Sequence, residues 1–199
     1  MHEAELGGLL VKMARRAIRS ELRKGGIVGP ARTESGRPPH PALAAPGATF
    51  VTLFKHGMLR GCIGSIEPSR PLGADVRANA VAAAFGDPRF PRLRADEFQE
   101  TTVEVSLLSP PEAMMADDER ALLLQLRPGI DGVVLAFAGR RATFLPQVWD
   151  SLREPAVFFA ELKRKAGLPV DFWSEGVKVS RYGVTKWREV DLRAAEKMS

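Results

Sequence analysis

"TFVTLFKHGMLRGCIGSI", Thr49 to Ile66, decides how the chain folds. Two runs rich in β-branched and aromatic residues flank Lys55-His56-Gly57, where a glycine is available for positive φ. The stretch reads as a β-hairpin. Its second half holds the only cysteine in the chain, Cys62, together with Arg60 in an otherwise apolar run, and Gly61 and Gly64 to either side of the cysteine. Alternate residues of a strand share a face. Met58, Arg60, Cys62 and Ile66 therefore fall on one side, and Leu59, Gly61 and Ile63 on the other. Both sides are largely apolar, which predicts a central strand covered on both faces.

The rest of the chain is read outward from this hairpin. Before it, Leu6, Leu9, Leu10, Met13, Ala17 and Ile18 recur at helical spacing and end at Gly25-Gly26, so the first segment is an amphipathic helix. Residues 27–48, rich in Pro, Gly and Ser, read as a long mobile loop. After the hairpin, "SRPLGADVRANAVAAAFGD" is a helix with Pro71 in its first turn and Gly86 as its stop. Its small side chains let it lie close to whatever it packs on.

"TTVEVSLLSP" is a strand closed by Ser-Pro-Pro. "RALLLQL" is ambiguous between helix and strand. "GVVLAFAGRRATFLPQV" is a second hairpin, turning at Gly139-Arg140-Arg141, and "EPAVFFAELKRKAGLP" is a helix opened by Pro155 and stopped by Gly167. "EGVKVSRYGVTKWREV" reads as one long strand whose apolar phase slips, so a bulge or bend is expected near Gly183. Strands form hairpins and outnumber helices. The expected fold is α+β, a largely antiparallel sheet flanked by helices.

Composition narrows the class. The 199 residues are 45% apolar and 27% charged, which suits a single globular domain, 1–199, and excludes a disordered chain. No apolar run approaches the roughly 20 residues that cross a bilayer, so no membrane role is expected. The N-terminal segment has no uninterrupted apolar centre and does not read as a signal peptide. A single cysteine excludes an internal disulfide framework and fits a cytoplasmic protein. The net charge of +5 is partly local, with Lys12, Arg15, Arg16, Arg19, Arg23 and Lys24 on the first helix. That face would suit nucleic acid, but no aromatic residues interleave to stack bases, and a solvated helix face explains it as well.

The residues that carry chemistry are two misplaced charges and a thiol. An arginine in an apolar strand is costly unless paired. Glu104 is the matching anomaly in "TTVEVSLLSP", where Val103, Val105 and Leu107 share one face and Glu104 and Ser106 the other. The economical expectation is that Arg60 meets Glu104, with Cys62 and Ser106 beside them. A neighbouring guanidinium favours the thiolate, the form that reacts. Gly61 and Gly64 would admit a ligand or a backbone closely. Asp87, Arg89 and Phe90 in "GDPRFP" form a loop that would make one lip of a cleft. The opposing reading is that free cysteine is usually buried and inert, and that an Arg-Glu pair is often scaffolding. A Cys-His dyad would need His40 to fold back over the sheet. No HExxH, CxxC, P-loop, dinucleotide fingerprint or GxSxG elbow occurs, so no metal site and no cofactor site is evident in the chain.

The ordered blocks "FVTLFKHGMLRGCIGSIEPSRPL", "AAAFGDPRF", "VEVSLLSPPE", "GIDGVVLAFAGRRATFLPQVW" and "FFAELKRKAGLP" resemble the AMMECR-one domain family. Its bacterial and archaeal members are known as AmmeMemoRadiSam system protein A. The resemblance covers nearly the whole chain, and "LRGCIG" is its most specific block. It implies a larger sheet-containing part, a smaller helical part and a cleft between them. It implies that Arg60, Gly61, Cys62, Ile63 and Gly64 form the signature block. It further implies association with a Memo-type protein and a radical S-adenosylmethionine protein, whose S-adenosylmethionine or iron–sulfur chemistry would be supplied by the partner. It supplies no reaction. Three readings follow: an enzyme or enzyme subunit using Cys62, Arg60 and Glu104; a non-catalytic adaptor for those partners; and a nucleic-acid-binding module using the basic first helix.

Overall fold

The computed structural model describes residues 2–25 and 40–191. The chain divides into two compact units, one made of Met1–Leu108 with Thr185–Ser199, the other of Ser109–Val184. Both are α+β, and each is built on a four-stranded antiparallel sheet. The part expected to be helical therefore has a sheet of its own. Among the described residues no helix is long and apolar enough to cross a membrane.

In the first unit, α1 (His2–Arg23) precedes β1 (Ala48–Lys55), β2 (Met58–Gly64), α2 (Leu72–Phe85), α3 (Ala95–Phe98) and β3 (Thr101–Leu108). The sheet order is β2-β1-β3-β8, where β8 is Val184–Arg188. The hairpin is as read from sequence, turning on His56 and Gly57, both at positive φ. One sheet face is packed by α1 and α2. Val51 and Leu53 of β1 and Val103 and Val105 of β3 are fully buried there with Leu10, Ala14 and Ile18 of α1 and Val76 and Ala80 of α2.

The loop expected over 27–48 lies outside the described residues as far as 39. From His40 the chain is pinned. Pro41–Leu43 form a 3-10 turn capped by the His40 ring, Leu43 is buried, and the Ala45 carbonyl accepts from the Leu72 amide at 2.8 Å.

The second unit contains β4 (Glu112–Met114), α4 (Glu119–Gln125), β5 (Gly132–Phe137), β6 (Arg140–Phe144), α5 (Pro155–Lys165) and β7 (Lys178–Tyr182). Its sheet order is β4-β7-β5-β6. "RALLLQL" is helical, with the Asp118 carboxylate capping α4 through the Ala121 amide. Trp149 stacks flat on Phe158 at 3.7 Å, and its indole N–H donates to the Asp131 carbonyl at 2.7 Å. Asp131 is fully buried and accepts from the Arg127 amide and guanidinium, so "GIDG" is a locked turn.

The stretch read as one bent strand through Gly183 is two. β7 lies between β4 and β5, while β8 pairs beside β3 in the other sheet. The phase slip between Val177/Val179 and Tyr182/Val184 marks the point where the chain changes sheets.

Candidate functional site around Cys62

Cys62 sits opposite Thr52, and Thr52 opposite Glu104, so one row of side chains crosses β2, β1 and β3. The next row is Gly64, Phe50 and Ser106. Both rows lie on the face away from α1 and α2, because the residues between them, Val51, Leu53, Val103 and Val105, fill the helix-packed core. The thiol is half-buried, and the Thr52 hydroxyl donates to Sγ at 3.3 Å. Cys62, Glu104 and Ser106 are thus on one face, as expected from the sequence.

Arg60 is not with them. It is the extra residue of a β-bulge, since Leu53 pairs with Gly61 and Phe54 with Leu59. Strict alternation does not carry across such an insertion. The Arg60 guanidinium reaches α3 instead, donating from Nε and Nη2 to the two carboxylate oxygens of Glu97 at 2.8 and 3.0 Å. Glu104 is paired with Arg188 at 2.7 Å, and that guanidinium lies 4.5 Å over the Phe54 ring. The expected Arg60–Glu104 pair does not form. Each charge found a nearer partner, neither of which shows in the alternation of its own strand.

The Arg60–Glu97 pair has a pH signature. Arg60, together with Lys55, holds the Glu97 carboxyl at about 2, against an ordinary 4.5. A depressed carboxyl stabilises the fold above its unfolded value, and that contribution is lost as pH falls from about 4.5 toward 2. Glu97 keeps 19% of its side chain in water, so the pair is worth about 1–2 kcal/mol. Arg60→Gln is expected to be less stable than wild type by that amount at pH 7, with the gap narrowing below pH 4.5. Urea unfolding at stepped pH measures it, and parallel curves for the two proteins would contradict the pairing.

β2 is the edge strand of its sheet, not a central one. Side-chain pattern reports what covers the faces and is silent about the edge. The edge here is closed by the "GDPRF" loop. The Cys62 amide donates to Asp87 Oδ2 at 2.9 Å, and the Cys62 carbonyl accepts from Arg89 Nη2 at 3.1 Å. Asp87 and Arg89 also pair with each other at 2.7 Å. The Arg89 guanidinium beside it, with the Cys62 amide, holds the Asp87 carboxyl below the usual carboxylate range. Asp87 in turn raises Arg89, and the Cys62 thiol adds to that effect. Phe90 completes the loop, with the Arg89 guanidinium 5.5 Å and that of Arg60 6.0 Å from its ring centre. Gly61 and Ile63 face the helices, so neither lines the Cys62 face; a Cβ at 61 would come within 2.2 Å of the Ala83 carbonyl oxygen. Gly64 lies against the Phe50 ring.

Sequence reasoning missed the polar centre beneath this edge. Asp75 of α2 is fully buried and accepts from the Thr49 amide and hydroxyl at 2.8 and 2.7 Å, from Asn79 at 2.9 Å, from Arg70 at 2.8 Å and from the Ser65 hydroxyl. The signal was available. Asp75 and Asn79 stand four apart on a helix whose only other polar side chain is Arg77. Thr52 and Glu97 carried no signal of their own. His40 is occupied, its Nδ1 accepting from the Ala42 amide at 3.2 Å. Among the described residues no three His, Cys, Asp or Glu side chains gather as a metal site would need.

A profile of the AMMECR1 family matches residues 11–187. The chain belongs to the AMMECR1 family. Relatives include a protein of Methanopyrus kandleri, 37% identical over 177 residues that cover 85% of this chain and 81% of that one. A protein from Thermotoga maritima is 35% identical over 182 residues, covering 89% of this chain and 96% of that one. The crystal structure of an uncharacterized protein from Pyrococcus horikoshii superposes with a TM-score of 0.76 at 34% identity, covering 93% of this chain and 92% of that one. The AMMECR1 fold thus extends over both sheets and their helices.

Proposed function

We propose that this AMMECR1 protein is a cytoplasmic component of the AmmeMemoRadiSam system, acting with a Memo-type protein and a radical S-adenosylmethionine protein. The sheet face around "LRGCIG" binds an anionic small molecule, or an anionic group on a macromolecule, next to Cys62. The observation that carries this reading is the half-buried thiol held by the Thr52 hydroxyl, with the Asp87-fixed Arg89 guanidinium beside it. Arg89 takes the role that the sequence offered to Arg60. Arg60 and Glu97 hold the end of the strand, and Glu104 holds Arg188. With one cysteine, the chain has no ligand set for an iron–sulfur cluster, so that chemistry belongs to the partner.

The nucleic-acid reading loses support. Arg15, central to the basic face, is used internally: it bonds the Thr101 carbonyl and Glu189 at 2.8 and 2.9 Å and lies 4.4 Å over the Phe98 ring.

Iodoacetamide alkylation tests the proposal, and a single cysteine makes the signal unambiguous. Wild type is expected to react in the folded state at pH 7, because the thiol is only half-buried, and Arg89→Ala to lose a preference for anionic iodoacetate over neutral iodoacetamide, because the guanidinium draws anions to the thiol. Arg60→Gln is expected to react at the wild-type rate. Alkylation seen only after unfolding would make Cys62 core packing and overturn the reading in favour of the adaptor.

A further inference from the structure

The second unit contains a pocket of about 360 Å³ that the Cys62 face does not use. Leu122 and Val179, which are buried, and Val177 supply apolar side chains to its lining, although most of the surface it exposes is polar. The Trp173 indole forms a wall. Asp117 and Glu175, both exposed, stand at the rim. Among the described residues neither carboxylate has an ion-pair partner, although the protein carries a net charge of +5.

The pocket is built rather than incidental. Lys163 of α5 is 1% exposed, and its ammonium donates to both oxygens of Glu119 at 3.0 and 2.7 Å and to the Phe172 carbonyl at 3.3 Å. Those three bonds tie together α5, the α4 helix that carries Leu122 and the segment that carries Trp173. Trp173 also packs on Phe159, ring centres 6.5 Å apart. The walls are therefore fixed before any ligand arrives, and the volume lies within the range of small-molecule sites.

We infer that this pocket binds an aliphatic chain ending in a cation, an alkylammonium or alkylguanidinium. The side chains of Leu122, Val177 and Val179 suit a short methylene stem, an indole attracts a cation, and two carboxylates with no ion-pair partner among the described residues supply opposite charge in a largely polar lining. The ligand is either a free amine or a lysine or arginine side chain of a peptide, which share this chemistry.

Calorimetric titration of the full chain at low salt tests it, with agmatine, cadaverine and N-acetyl-lysine amide as probes and 1,5-pentanediol as the neutral control. The cations are expected to bind at about 1 mM and the diol not at all. The Asp117→Asn/Glu175→Gln double variant is expected to lose about tenfold in affinity, and Trp173→Leu a comparable factor. Both carboxylates are exposed, so an unchanged melting temperature in the double variant certifies its fold. Preference for the diamines over the capped lysine assigns a free amine, and equal binding assigns a peptide side chain. Absence of binding at about 20 mM, or equal affinity in the double variant, overturns the inference.

Discussion

Replacing Asp75 with alanine lowers the stability of the first unit by about 3–5 kcal/mol. The carboxylate is fully buried and receives five hydrogen bonds, from the Thr49 amide and hydroxyl, Ser65, Arg70 and Asn79. Truncation removes the acceptor of five donors, and each donor left buried without a partner costs more than a hydrogen bond normally contributes. Arg70 escapes most of the penalty, because 41% of its side chain already reaches water. The Thr49 amide and hydroxyl do not, while Asn79 keeps the Thr49 carbonyl as an acceptor at 2.9 Å. Arg70→Ala is accordingly the mild member of the set, at about 1 kcal/mol. Hydrogen exchange locates the loss: amides of Thr49 to Leu53 are expected to lose protection in Asp75→Ala and to keep most of it in Arg70→Ala. Equal protection in Asp75→Ala and wild type would mean that the network holds nothing together.

Gly61→Ala is expected to cost about 2–4 kcal/mol, more than the single added methyl suggests. The new Cβ would sit 2.2 Å from the Ala83 carbonyl oxygen and 3.2 Å from its carbon. Both are backbone atoms of α2, so no rotamer change relieves the clash, and either the helix or the edge strand must move. Gly8→Ala is the matched control with the opposite sign. Nothing lies within 4 Å of a Cβ there, and the position is helical, so alanine should stabilise by about 0.5–1 kcal/mol. Denaturant midpoints of the two variants decide the matter. Parity between them would show that α2 and β2 tolerate sliding apart.

The hairpin from Ala48 to Gly64 was legible because local chemistry sets it: alternating β-formers and a glycine in the turn. The helices over Leu72–Phe85 and Pro155–Lys165 were legible for the same reason, with their stops at Gly86 and Gly167. The row of Cys62, Thr52 and Glu104 followed in part from strand periodicity. What escaped was non-local. The bulge at Arg60 shows only in the pairing of β2 with β1, and nothing within the strand announces it. The partner of Arg60 lies on α3, 37 residues away, and that of Glu104 lies 84 residues away on β8. The change of sheets at Gly183 was visible only as a slip of phase, which a bend explains equally well. The edge position of β2 was hidden because two side chains do the work of a neighbouring strand.

That substitution has a consequence for how the protein behaves in company. An uncovered outer strand is a template on which a second molecule can grow, and crowded cells penalise such templates as seeds of fibres. Here the amide and carbonyl of Cys62 are already clasped by Asp87 and Arg89. The clasp occupies the backbone of that residue without using its half-buried thiol, which bonds only the Thr52 hydroxyl on the sheet face. An outer strand whose amide and carbonyl are held in this way has, at that residue, nothing left to offer a passing strand.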